Sequence, residues 1–188
     1  MGTAEDAVKY GAMGLNNPSP LTTWTGGNRI YPPTARNPLG EFDPNAGAAG
    51  SGGKLEGRGK YLSADRPYAE QYSKPFPNGV LHKVDLPDEM IPKMLDYSTP
   101  VSRQPEVLKS LSENAQKLGL PANFRQMNGE QIYKHIINSG WGETEAADLL
   151  SSVGIAGFKY KKPFEGKVVD NFGVYPAFQD RLTILERQ

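Results

Sequence analysis

Gly57-Arg58-Gly59-Lys60-Tyr61-Leu62-Ser63-Ala64-Asp65-Arg66-Pro67-Tyr68-Ala69-Glu70-Gln71-Tyr72 is the stretch whose reading decides the fold. Its glycines carry no Cβ, so the backbone there can turn sharply or approach a ligand closely. Tyr61-Leu62 reads as a short strand. Ser63 or Asp65 can cap a helix that holds Pro67 in its first turn, where the missing N–H of proline costs nothing. Tyr68 and Tyr72, four residues apart, share one face of that helix. The stretch therefore predicts a strand-to-helix turn that displays tyrosines.

Upstream, Thr22-Thr23-Trp24-Thr25 has the β-branched and aromatic make-up of a strand, and Gly26-Gly27 is expected to stop it. Between Asn28 and Gly57 lie Pro32, Pro33, Pro38, Pro44 and the run Gly47-Ala48-Ala49-Gly50-Ser51-Gly52-Gly53. So long a segment without periodicity reads as a functional lid or a disordered loop. The run ends without the Gly-Lys-Ser/Thr of a phosphate loop, which argues against a nucleoside triphosphatase. Residues 1–20 open with a possible helix around Ala4 to Ala12, then break at Gly14, Pro18 and Pro20. They read as an adaptor from a longer protein.

Downstream, Val80, His82, Val84 and Leu86 alternate with Leu81, Lys83 and Asp85, the pattern of a strand with one buried face. Val107, Leu108, Leu111, Ala115 and Leu118 recur at helical spacing from Gln104 to Leu118, before Gly119 and Pro121. A second helix follows Asn128, with Gln131 completing a capping box and Ile132, Tyr133, Ile136 and Ile137 as its stripe. A third starts near Thr144, buries Ala146, Ala147, Leu149 and Leu150, and stops at Gly154. Three strand candidates close the chain: Ile155–Tyr160, Val168–Tyr175 and Arg181–Leu185. Strands and helices grouped in this way predict an α+β fold, not alternating βαβ units.

The chain has 188 residues, enough for one domain with a substantial core. Lys plus Arg and Asp plus Glu balance at 21 each, so no overall field draws nucleic acid or an anionic membrane. With no cysteine, thiolate chemistry, disulfides and cysteine-based zinc sites are excluded, and two histidines argue against a histidine-rich metal site. No apolar run approaches the length of a membrane span, and the N-terminus lacks a signal-peptide pattern. His82 falls on the apolar side of its strand and is expected to be a buried, satisfied histidine and not a ligand; His135 lies opposite its helix's stripe and is expected to be solvated. Lys159, Lys161, Lys162 and Lys167 form a basic run that suits either a pyrophosphate or RNA backbone or a solvated turn.

Three separated pieces resemble the ADP-ribosyltransferases of the diphtheria-toxin and poly(ADP-ribose) polymerase branch. Trp24-Thr25-Gly26 stands where that branch has a Trp/Tyr-His-Gly segment. Tyr61, after Gly59, and Tyr72, eleven residues on, reproduce the spacing of its two tyrosines. Asp170-Asn171-Phe172-Gly173-Val174-Tyr175 stands in place of its late Asn-Glu-Tyr-(apolar)-Val-Tyr strand. A closer similarity is to the ADP-ribosyltransferase-like domains of phage and prophage polyvalent proteins, across Leu95–Pro105, Gly129–Tyr133 and Ala147–Tyr160.

The resemblance implies split antiparallel β-sheets over residues 21–188, with a helical insertion at about 103–153. It also implies a mono-ADP-ribosyltransferase or NAD glycohydrolase that uses NAD as substrate, needs no metal and acts on a protein or RNA acceptor of a host. On this reading Thr25, Tyr61 and Asn171 stand at the three catalytic positions, while Trp24, Gly26, Ser63 and Tyr72 bind the dinucleotide. Tyr61 and Tyr72 would stack on nicotinamide, and Gly26 would offer its N–H and C=O to the carboxamide. Asn171 can hydrogen-bond but cannot carry charge or take a proton, so elongation into a polymer is not expected. The alternatives stay open: a degenerate module that binds NAD or ADP-ribose, a structural domain of a polyvalent protein in which both tyrosines are core aromatics, or, ranked lower, a site built on Arg29, Ser63 and Glu186. The expected setting is a monomer that is cytoplasmic or delivered into a host cell, without membrane contact.

Overall fold

The computed structural model describes residues 21–44 and 57–188. The adaptor of residues 1–20, its possible helix and the run Gly47–Gly53 lie outside the described residues. Among the described residues seven strands form one sheet: β1 (Thr22–Gly27), β2 (Lys60–Ser63), β3 (Val80–Asp85), β4 (Met94–Asp96), β5 (Gly157–Phe164), β6 (Lys167–Val174) and β7 (Thr183–Arg187). Their order is β4-β5-β6-β2-β1-β3-β7. Every neighbouring pair is antiparallel except β4 with β5. The fold is α+β.

The quoted stretch forms the expected strand and capped helix, but the helix ends at Glu70 and leaves Tyr72, expected on it beside Tyr68, in the following turn. After β2, Asp65 Oδ1 accepts from the Tyr68 N–H at 2.9 Å and caps α1 (Arg66–Glu70), with Pro67 in the first turn. Between β4 and β5 the chain makes α2 (Pro105–Glu113), α3 (Gly129–Asn138) and α4 (Glu143–Ser152). The capping box at Asn128 and Gln131 is present in both directions, each bond 2.9 Å. Gly154, at φ 88°, ends the helical segment after α4 in a conformation that disfavours other residues.

Several boundaries differ from those expected. β1 continues through Gly26 and Gly27, because both pair with β3 in register. The helix expected to reach Leu118 stops at Glu113: Asn114 leaves helical geometry, its amide donating to the Ser110 carbonyl at 2.8 Å. Leu118 is still buried, reached through turns. β3 buries Val80, Leu81, His82 and Val84 on both faces, since it lies between β1 and β7 with chain on either side. Met94-Leu95-Asp96, too short to carry a period, forms the parallel edge strand.

Two cores follow from the pleat. On the front face Tyr61 and Phe158 meet Val107, Leu111, Ile132, Ile136 and Leu150 of the three helices. On the back face Leu62, Val84, Phe172, Val174 and Ile184 pack with Phe42 and Leu182 from irregular segments and Met90 from the 3-10 helix Asp88–Lys93. A fully buried Leu or Ile contributes about 2 kcal/mol, so both layers are needed to hold the sheet. The sheet is continuous but not evenly joined. β1 and β2 share a single registered pair, Trp24 with Ser63.

Candidate functional site

That single pair marks a seam, and backbone hydrogen bonding defines its geometry. In an antiparallel ladder a residue's N–H and C=O point to the same side. Leu81 exchanges both of its bonds with Gln188, each 2.9 Å, on the side away from β1. Gly26 stands opposite Leu81, so its own N–H and C=O are turned away from β3 and toward β2. Continuing the register of Trp24 with Ser63 would set Gly26 against Tyr61, yet no registered pair follows. The ladder is not continued there, and Gly26 turns one donor and one acceptor toward this gap in the pairing.

The front of this opening is roofed by α1. A Cβ on Gly26 would overlap the Ala69 carbonyl oxygen and come within 3.1 Å of the Ser73 nitrogen, so only glycine fits beneath the end of this helix. Side chains on the same face form a row across four strands, Trp24, Ser63, Asn171 and Tyr160, each registered against the next. Ser63 Oγ is occupied, accepting from the Asp65 N–H at 3.1 Å. Asn171 is only 1 % exposed. Its Nδ2 donates weakly to the Val169 carbonyl at 3.3 Å, while its Oδ1 is buried without a hydrogen-bond partner. Such an acceptor costs about 1–3 kcal/mol when left unmade, so the row holds a standing demand for a donor.

Aromatic rings continue the wall. Tyr61 stands edge-on to Phe158 and Tyr160, with centroids at 5.8 and 6.3 Å, and its hydroxyl donates to the Gly57 carbonyl. Tyr72 is 46 % exposed and packs against Tyr68, whose ring meets Phe164 at 5.3 Å. Tyr61 and Tyr72 are thus held by different neighbours. Asp65 fixes α1 to the β5–β6 hairpin through Lys167. Burial works to raise its pKa, but the Lys167 ammonium and the Tyr68 N–H outweigh this and hold the carboxyl below its ordinary value. Trp24 carries the Arg66 guanidinium 5.1 Å from its ring centroid, with Arg66 tied to Glu70 at 2.9 Å.

Six of the seven site residues singled out in the sequence, Trp24, Gly26, Tyr61, Ser63, Tyr72 and Asn171, belong to this row, its aromatic wall or the helix above it. Thr25 does not. It points to the back face, opposite His82, and is 7 % exposed, because neighbouring strand residues face opposite ways. Nor do Ser63 and Glu186 meet: β1 and β3 separate β2 from β7, about 14 Å of sheet, and Glu186 binds Lys83 at 2.7 Å. The basic run is largely paired, Lys159 with Asp96 at 3.4 Å, Lys161 with Asp170 at 4.0 Å and Lys167 with Asp65. His135 is half-buried, and its Nε2 lies 2.9 Å from the Gly119 carbonyl. As site residues Tyr160 and Phe164 went unnamed in the sequence, and Tyr68 was named only for sharing a helix face with Tyr72. The alternation of Phe158, Tyr160 and Phe164 along β5 was the signal that could have found two of them.

No family model matches the chain. No curated protein or solved structure matches it either. Among the described residues no group of three or more His, Asp or Glu side chains could hold a metal ion, and no helix is long and apolar enough to cross a membrane.

Proposed function

We propose that the chain is an ADP-ribosyltransferase-like domain that binds NAD at the seam and uses it for mono-ADP-ribosyl transfer or hydrolysis. The observation that carries this reading is the pairing of Gly26, whose N–H and C=O face the gap, with the buried, unpartnered Oδ1 of Asn171. A carboxamide offers one acceptor and two donors, which complements the backbone of Gly26. A ribose hydroxyl can satisfy Asn171 Oδ1. Tyr61, held by Phe158 and Tyr160, supplies a fixed ring beside the gap, and Tyr72 is exposed enough to close over a bound ring.

The chemistry follows from these groups. The bond between ribose C1′ and the nicotinamide nitrogen breaks, nicotinamide leaves neutral with the electron pair, and positive charge builds on the ribose. An acceptor nucleophile or water then bonds to C1′ and gives up its proton to solvent. Asn171 orients the ribose through a neutral amide, which stabilises the developing cation less than a carboxylate would. The expected turnover is therefore slow, with a single ADP-ribose transferred.

A second reading, recognition of NAD or ADP-ribose without turnover, is favoured by one observation: Thr25 faces away from the gap. Incubation with NAD labelled in the adenylate and nicotinamide halves, with and without a bacterial lysate, separates the readings. Transfer gives labelled macromolecule, hydrolysis gives free nicotinamide and ADP-ribose, and recognition alone gives binding by calorimetry with neither product. Absence of binding and of both products sinks the proposal.

A further inference from the structure

The geometry points to a second binding site, on the back face of the sheet beneath residues 28–44, built from Lys60, His82 and Arg187 for a phosphoryl group. It lies outside the seam and does not depend on the reading proposed for it. The pleat places the three together. Thr25 and Arg187 are registered against His82 on either side, and Lys60 projects from β2 to this same face, opposite Tyr61. Tyr31 links them: its ring lies 5.3 Å from that of His82, and its hydroxyl accepts from Lys60 Nζ at 2.6 Å. Lys60 Nζ also sits 4.9 Å from the Tyr31 centroid and 4.8 Å from that of Phe42.

Two features make this constellation a site and not a packing detail. His82 is 2 % exposed, and its Nε2 is buried without a hydrogen-bond partner. Among the described residues, neither Lys60 nor Arg187 forms an ion pair. The covering segment carries both signs, in Arg29, Arg36, Glu41 and Asp43. The charged groups that act on the imidazole are Lys60 and Arg187, and together with burial, which is the larger cause, they lower its pKa to about 4. Among the described residues, a neutral imidazole with a spare nitrogen thus lies between two cations that form no ion pair with an acidic side chain. An oxyanion supplies what is missing. It accepts from the ammonium and the guanidinium, and it favours the protonated imidazole as a third donor. A phosphoryl group suits the three donors better than a carboxylate, since it offers three acceptor oxygens.

The test follows His82 directly. His82 and His135 are the two histidines of the chain, so their imidazole signals are readily told apart by NMR with a His135→Gln variant. Inorganic phosphate and adenosine monophosphate are titrated separately into the full chain, with sodium chloride at matched ionic strength as control. The expected result is a saturable shift of the His82 signals, a His82 pKa that rises in the bound state, and affinity about tenfold weaker in Lys60→Met and in Arg187→Gln. Saturation with phosphate assigns the site to the free anion. Saturation with the nucleotide alone assigns it to a phosphate carried on a larger molecule. If neither moves His82 beyond the chloride control, or if both variants bind as the wild type does, the inference is overturned.

Discussion

Acidification between neutral pH and pH 4 isolates the energetic weight of His82. Its imidazole is lowered from an ordinary value of 6.5 to about 4 by burial first and by Lys60 and Arg187 second. The sign follows from linkage: a group whose pKa is depressed by folding binds its proton more readily in the unfolded chain. The native state is fully favoured above pH 6.5. That advantage declines as the pH falls below 6.5 and is gone once the folded pKa, about 4, is passed. A difference of roughly 2.5 units corresponds to about 3 kcal/mol, a large share of the 5–15 kcal/mol typical of a domain. The assay is urea unfolding from pH 7.5 to pH 4.5 in buffers free of phosphate, with His82→Gln as reference. The wild-type midpoint should fall steeply across this window and that of the variant should not. Asp65 and Asp96 also have lowered pKa values, but stability from a depressed carboxyl is lost only below its ordinary value of 3.8, outside the window. Equal slopes in wild type and variant, or an imidazole titrating near 6.5, would refute the account.

Gly26→Ala should destabilise the fold by about 1–3 kcal/mol in thermal or urea melts, because the added methyl overlaps the Ala69 carbonyl, and should abolish NAD binding by calorimetry. Asp65→Ala removes both the cap of α1 and the Lys167 contact; a loss of about 1 kcal/mol is expected by urea unfolding. Asn171→Leu replaces a buried, half-satisfied amide by an apolar side chain of similar size. It should leave the melting temperature unchanged or raised while weakening NAD affinity at least tenfold by calorimetry.

Sequence reading reached the parts of the fold that local rules control. Asp65 with Pro67, Asn128 with Gln131 and Gly154 are punctuation, and each acts within a few residues of itself. What it missed depends on partners far along the chain. Met94-Leu95-Asp96 becomes a strand only because β5, more than sixty residues later, runs beside it. The two-sided burial of β3 reflects its place between β1 and β7, which its alternation cannot reveal. The candidate site divides in the same way. The resemblance singled out Tyr61 and Tyr72 along with Thr25, but the face that Thr25 presents depends on the register of β1, and that is set by β3.

The opening at Gly26 and the docking of α1 share one cause. Between Trp24 and Ser63 the strands are close enough to pair; two residues on, Gly26 must leave room for the Ala69 carbonyl and the Ser73 nitrogen that lie on it. A residue with a side chain would lift the helix off the sheet, and Tyr68, Tyr72 and the Asp65–Lys167 tie would go with it. The glycine that lets the helix settle is therefore also the one whose N–H and C=O are left facing the seam. Helix position and the geometry of the proposed NAD site are in this way coupled through one backbone. Loosening α1 by Asp65→Ala should then lower affinity for NAD by calorimetry, although Asp65 points to Lys167 and Tyr68 and not into the gap. Unchanged affinity in a variant that has lost the expected stability would show that the roof and the gap act separately.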